Sequence, residues 1–250
     1  MTGSLKVETF ADRKALGSAA AHEIATELRS VLTAKGSARV IFAAAPSQAE
    51  TLTALAAEPD IDWGLVTAFH LDEYIGLTSD APQGFGNWLR AAIFDRLAFA
   101  EVNYIRVGWD PVVAASDYAT LLSAAPIDIV CLGIGMNGHL AFNDPPVADF
   151  ADPLDVKVVE LDETCRRQQV EDDCFRELAD VPRSAITVTI PALLAARRLF
   201  CVVPGALKAE AVRATLTEPI DTAWPSTILR THPACTLYLD SDSASLVEAT

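Results

Sequence analysis

The chain has 250 residues, 51% of them apolar, and a formal charge of −15 from 34 acidic against 19 basic side chains. That apolar content supplies a sizeable core and excludes a disordered chain, while the length suits one large α/β domain or two small ones. The acidic balance argues against a general nucleic-acid surface, though not against a small anionic ligand, which needs only a local group of donors.

Residues 10–34 place Leu16, Ala19, Ala20, Ile24, Leu28, Val31 and Leu32 on one helical face, and Lys35-Gly36-Ser37 ends that helix. Arg39–Ala45 (RVIFAAA) reads as the first strand, followed by Pro46-Ser47-Gln48 and a helix through Ala57. A helix opening directly behind a strand turns free amides toward a ligand, which makes Ser47 and Gln48 candidate anion contacts. The equal alternative is an ordinary N-cap by Ser47. Trp63–Phe69 is a second strand and runs into HLDEYIGL (70–77), which sets Asp72 and Glu73 at the ligand end of a sheet or, alternatively, in a solvated acid pair. Pro82–Leu97 is a turn and a helix, Val102–Val107 a third strand, and Asp110–Ala124 a helix.

The apolar run Ile127–Leu132 has the length and β-branching of a buried parallel strand. Gly133, Gly135 and Gly138 follow it, then His139, Asn143 and Asp144. Glycines at that spacing allow a sharp turn and a close backbone approach, but a complete GxGxxG is missing. An imidazole beside polar groups and a carboxylate suits acid–base chemistry; a core histidine is the plain alternative. Further on come a strand at Val156–Leu161, a polar helix over Asp162–Glu177 whose Arg166, Arg167, Gln168 and Gln169 read as a solvated face, and a short strand at Ile186–Ile190 with a brief helix from Pro191. Leu199–Val203 is a strand ending at Pro204-Gly205, a turn occupies Ala223–Ser226, and Thr236–Asp240 is the last strand. Lys208 falls in the first turn of the helix after Gly205, where the helix dipole disfavours a cation; a bound anion would explain it, and an exposed surface lysine is the alternative. The whole reads as one α/β domain over 1–250 with an open, mostly parallel sheet.

Five cysteines, odd in number and without a CxxC pair, suit a reducing compartment; Cys131 and Cys201 lie in apolar runs and are expected to be buried thiols. The N-terminus lacks an apolar signal core and no run reaches membrane-spanning length, so the expectation is a soluble, cytoplasmic protein without membrane partners. A homo-oligomer is left open.

FHLDEYIGL (69–77) and GIGMNGHLAFNDPP (133–146) together resemble the two signatures of the glucosamine-6-phosphate deaminase (glucosamine-6-phosphate isomerase) family. The likeness extends through residues 186–212 and the LRTHP segment at 229–233. It implies a Rossmann-like fold with helices on both faces of the sheet, no organic cofactor, no metal, and conversion of glucosamine 6-phosphate and water to fructose 6-phosphate and ammonia. By position it assigns Asp72 as the enolisation base, His139 as the ring-opening histidine and Lys208 as the phosphate contact. It sets Asp144 where the family has a glutamate and Asn137 where many members have an aspartate, and brings Ser47, Gln48, Gly138 and Glu73 to the substrate. The family's phosphate-binding arginine has no clean match among Arg166–Cys174. The chain stops soon after its last strand, so the extension that supports allosteric control in some members is expected to be absent. The rival enzyme is a 6-phosphogluconolactonase, whose Gly-His typically continues Thr-Ala-Ser. The rival from another class is a sugar-phosphate sensor, which would need a DNA-binding module beyond the single helix of residues 1–38.

Overall fold

The computed structural model describes residues 5–108 and 110–247. Seven parallel strands form the main sheet in the order β1 (Lys6–Phe10), β10 (Cys235–Asp240), β9 (Arg198–Val203), β6 (Ile129–Leu132), β2 (Ala38–Phe42), β3 (Val66–His70), β5 (Glu101–Val102). A second, antiparallel sheet joins β4 (Asp72–Tyr74), β8 (Ser184–Val188) and β7 (Val156–Glu160).

The central strands are apolar on both faces because both faces are covered. Successive side chains alternate: Val40 and Phe42 of β2 enter one core, Ile41 the other. The first core packs beneath α1 (Arg13–Lys35) and α2 (Ala49–Ala56); the second is closed by α4 (Pro111–Ser123), α6 (Ile190–Leu194) and α7 (Ala209–Thr217). Helix α1 follows its sequence signals. Asp12 caps it by accepting from Ala15 N at 2.8 Å, and Gly36 ends it in the left-handed conformation.

Three expectations need correction. Strand β1 lies in a segment to which the sequence assigns no element, because an edge strand with exposed Lys6 and Val7 carries no apolar run. Trp63–Leu65 is a 3-10 turn rather than strand, since the Asp62 carboxylate accepts from Gly64 N. Strand β5 covers only Glu101–Val102 of the expected 102–107. There the ladder stops because Ile105 N donates to the His70 Nε2 instead of to main chain, at 2.9 Å. Pro82–Leu97 also resolves into two pieces: α3 (Phe85–Leu89) and a widened π-type turn over Arg90–Phe94.

Candidate active site

A cleft opens at the carboxyl ends of β2, β3, β6 and β9, where parallel α/β sheets place ligands. The loop after β2 supplies Ala43–Ala45, Ser47 and Gln48; β3 runs into Leu71 and Asp72; the loop after β6 supplies Gly133–Gly135 and His139; the turn after β9 supplies Lys208. Thus Asp72, His139, Lys208, Ser47 and Gln48, dispersed along the chain from position 47 to position 208, face one space.

Asp72 is held by backbone on both sides. Strand β4 pairs it with Thr187, and Val188 N donates to Leu71 O at 2.8 Å. His70, fully buried, donates from Nδ1 to the Asp72 carbonyl at 2.9 Å while Nε2 accepts from Ile105 N. Burial opposes the charged form and pushes the His70 pKa down to about 4, outweighing the bond to the Asp72 carbonyl, which favours the imidazolium. Burial, then the neighbouring Glu73 and Asp144 charges, raise the Asp72 carboxyl well above the usual carboxylate range. A carboxylate with raised basicity at a cleft is suited to proton abstraction.

His139 turns Nδ1 to Asp144 Oδ1 at 2.9 Å, which leaves Nε2 for the cleft. Burial pushes the Asp144 carboxyl up, but His139, the Asn137 amide and the Asp162 backbone amide outweigh it and hold the group below its ordinary value. The ring lies over the backbone of Gly135: a Cβ there would stand 2.1 Å from the imidazole, so no residue but glycine fits beneath it. Ala141, lining the same cleft, has φ of 51°, a strained backbone of the kind that clusters at functional sites.

Asn137, Gly138 and Glu73 do not line the cleft. Asn137 sits behind His139. Its Nδ2 donates to Asp144 Oδ1 at 3.0 Å and Asp162 Oδ2 at 3.2 Å, and its Oδ1 accepts from His139 N. Gly138 makes a left-handed turn against Trp224. The expected substrate contact from Glu73 is corrected: its carboxylate accepts from Tyr74 N, Phe85 N and Gly86 N, and so caps the start of α3. Gln48 lines the cleft, yet its Nε2 is committed to Val202 O at 3.1 Å and tethers this loop to β9. Ser47 makes no N-cap bond; in the 3-10 turn Pro46–Gln48 the proline has no N–H and Gln48 N donates to Ala45 O at 2.9 Å.

The polar helix departs most from its sequence reading. In α5 (Glu163–Glu171) Arg166 binds the carbonyls of Leu178, Val181 and Pro182, and Arg167 makes an exposed pair with Glu163. Gln168 and Gln169, expected on a solvated face, are buried and line the cleft with Asp172. Gln168 Oε1 accepts from Met136 N, and Tyr74 Oη donates to Gln169 Oε1, each at 2.8 Å. Composition hid them, because a helix of mean polar character gives no sign of which polar face is inward. The Tyr74, Phe85, Phe142 and Phe175 rings pack together to back the cleft.

His139, Asp144 and Cys165 offer donor atoms within 4.8 Å of one another. Burial and the Asp144 charge raise the Cys165 thiol well above its usual range, and a protonated thiol is a poor metal ligand. The Asp144 carboxylate, 2.9 Å from His139 Nδ1, reads as the support for the imidazole.

The sequence model of glucosamine-6-phosphate isomerases/6-phosphogluconolactonase matches residues 11–238. The chain belongs to this family. Its members include glucosamine-6-phosphate deaminase of Listeria innocua serovar 6a, 34% identical over 214 residues that cover 85% of this chain and 89% of the relative. The namesake of an Exiguobacterium species is 38% identical over 189 residues, 74% and 71% of the two chains. A solved monomeric glucosamine-6-phosphate deaminase superposes with a TM-score of 0.89 at 28% identity, over 97% of this chain and 100% of that one. The 6-phosphogluconolactonase of Thermotoga maritima follows with a TM-score of 0.78 at 17% identity, over 95% and 100%, a likeness of fold alone. Among the described residues no helix is long and apolar enough to cross a membrane.

Proposed function

We propose that this protein is an enzyme, a glucosamine-6-phosphate deaminase, converting glucosamine 6-phosphate and water to fructose 6-phosphate and ammonia. The observation that carries the reading is the meeting of Asp72, the His139–Asp144 pair and Lys208 in one cleft; the names borne by the family's curated members at 34–38% identity agree with it.

Each group has a task. The substrate enters as a closed ring, and opening it moves a proton between the ring oxygen and the anomeric hydroxyl; His139 is the imidazole in the cleft, a group that can accept a proton from one of these oxygens and deliver one to the other. Once the chain is open, moving the carbonyl function from carbon 1 to carbon 2 requires removal of the proton on carbon 2, the work of the Asp72 carboxylate. The phosphate takes no part in these bonds. Its charge at Lys208 fixes the sugar's position so that carbon 2 meets Asp72. The buried Lys208 Nζ has no hydrogen-bond partner among the described residues, which favours an anion as its partner.

Purified protein should release ammonia from glucosamine 6-phosphate without added metal or nucleotide. Folded protein that releases none would remove this reading, and hydrolysis of 6-phosphogluconolactone instead would install the rival one. Replacing Lys208 by alanine should weaken binding of 6-phosphorylated sugars roughly ten- to a hundredfold, since a charge-assisted contact is worth about 1.5–3 kcal/mol, and leave unphosphorylated sugars unaffected. Unchanged affinity for a phosphorylated inhibitor would put the phosphate elsewhere. The five cysteines are free thiols, which supports a cytoplasmic setting.

A further inference from the structure

The end of α5 puts an acid where the cleft receives an anion. The ionisable side chains that line the cleft are Asp72, His139, Asp172 and Lys208, one obligate cation against two carboxyl groups. Arg166 and Arg167 of the same helix are turned to protein carbonyls and to Glu163. No arginine therefore joins Lys208 among the lining residues. Asp172 is aimed there: Gln168 Nε2 donates to its Oδ2 at 3.2 Å, while Gln168 Oε1 is anchored by Met136 N in the loop that carries His139. Asp172 and Lys208 are too far apart for a direct ion pair of the described side chains, yet close enough that Asp172 is the leading charge favouring the ammonium form of Lys208 against burial.

We propose that Asp172 is a specificity-determining residue at the anion end of the cleft: it supplies part of the countercharge for Lys208 in the empty site and repels a bound ester in proportion to the ester's charge, so it narrows the advantage that a phosphate dianion has over a singly charged ester. The proposal rests on Lys208 being the anion contact. The physical reason is simple charge counting at short range. Lys208 attracts and Asp172 repels each negative charge of the ester, so the second charge of a dianion gains less beside Asp172 than it would beside Lys208 alone, in a partly desolvated cleft where Coulomb energies fall off less than in water. An engaged Gln168 keeps the carboxylate from swinging freely away from the ligand.

The test uses glucose 6-phosphate and glucose 6-sulfate as unaminated probes that bind without deamination, with affinities read by calorimetry at pH 8. There the phosphate ester is a dianion, its second pKa lying at roughly 6, and the sulfate a monoanion. Asp172→Asn keeps an acceptor for Gln168 and removes the charge. Because the repulsion scales with ligand charge, the substitution should tighten phosphate binding about tenfold and sulfate binding about threefold, and Asp172→Ser should shift the ratio the same way. Equal gains for both probes, an unchanged or weakened phosphate affinity, or no binding of either probe to any of the three proteins would overturn the proposal. Binding is read without turnover, so a protein that fails to release ammonia yet shows this ratio shift would lose the deaminase reading and keep this one.

Discussion

Asp72→Asn is expected to lower kcat by about 100- to 10,000-fold, the range lost with one general base, while leaving KM close to that of the parent. The amide keeps the shape of the carboxylate and its pairing of β4 with β8 is made by backbone, so the sheet that carries the residue is undisturbed. What goes is the basicity. Steady-state rates of ammonia release check this, and a variant that keeps most of its turnover would rule Asp72 out as the base. The pH dependence gives a second reading. Asp72 acts ionised, and burial lifts its pKa well above the ordinary carboxylate value, so the acid limb of kcat/KM should fall at a pH above the ordinary carboxylate range. The same shift has a cost in stability. A carboxyl whose folded pKa is raised stabilises the fold below its unfolded pKa and loses that contribution as pH rises through the folded value. Asp72→Asn avoids the burial of charge, and thermal unfolding at alkaline pH should show it more stable than the parent. Equal melting temperatures there would mean that the carboxylate is not held at such a disadvantage.

The second large effect falls on the support of His139. Asp144→Asn should cost about 100-fold or more in turnover, as when the carboxylate behind a catalytic imidazole becomes an amide. Asp144 Oδ1 receives His139 Nδ1 and Asn137 Nδ2, and Oδ2 receives Asp162 N. An amide has one acceptor oxygen for these donors, and its NH2 would confront one of them. Either the imidazole turns or its tautomer changes, and Nε2 no longer presents the lone pair needed for ring opening. Asn137→Ala removes one donor to Asp144 and the acceptor for His139 N, but keeps the contact between ring and carboxylate; less than about tenfold should be lost. Rates with both variants, with the ring 15N shifts of His139 to report its tautomer, separate the two. If Asn137→Ala is the more damaging change, the imidazole is held from its backbone rather than by Asp144.

Reading the chain alone went furthest where local chemistry is also structural chemistry. The run Ile129–Leu132 could only be a buried strand, and Gly135 and Gly138 could only be a turn under close approach. Asp72, His139 and Lys208 stand directly after β3, β6 and β9, and a parallel sheet delivers every such position to one edge, so knowing the strands was nearly enough to assemble them. Lys208 even announced itself by standing against a helix dipole. What the chain alone could not decide was direction. Glu73 follows Asp72 by one residue, and in an extended strand that places it on the opposite face, where two amides of α3 and that of Tyr74 consume its carboxylate. Gln168 and Gln169 carry no hydrophobic mark, and only the packing of α5 against the cleft turned them inward while sending Arg167 to solvent. Strand β5 ended early because a histidine ring 35 residues before Ile105 took its hydrogen bond. Hydrophobic pattern and backbone stereochemistry are properties of neighbours in sequence and are written there. The burial of a polar group, and the partner that makes it tolerable, belong to residues that meet only when the chain has folded.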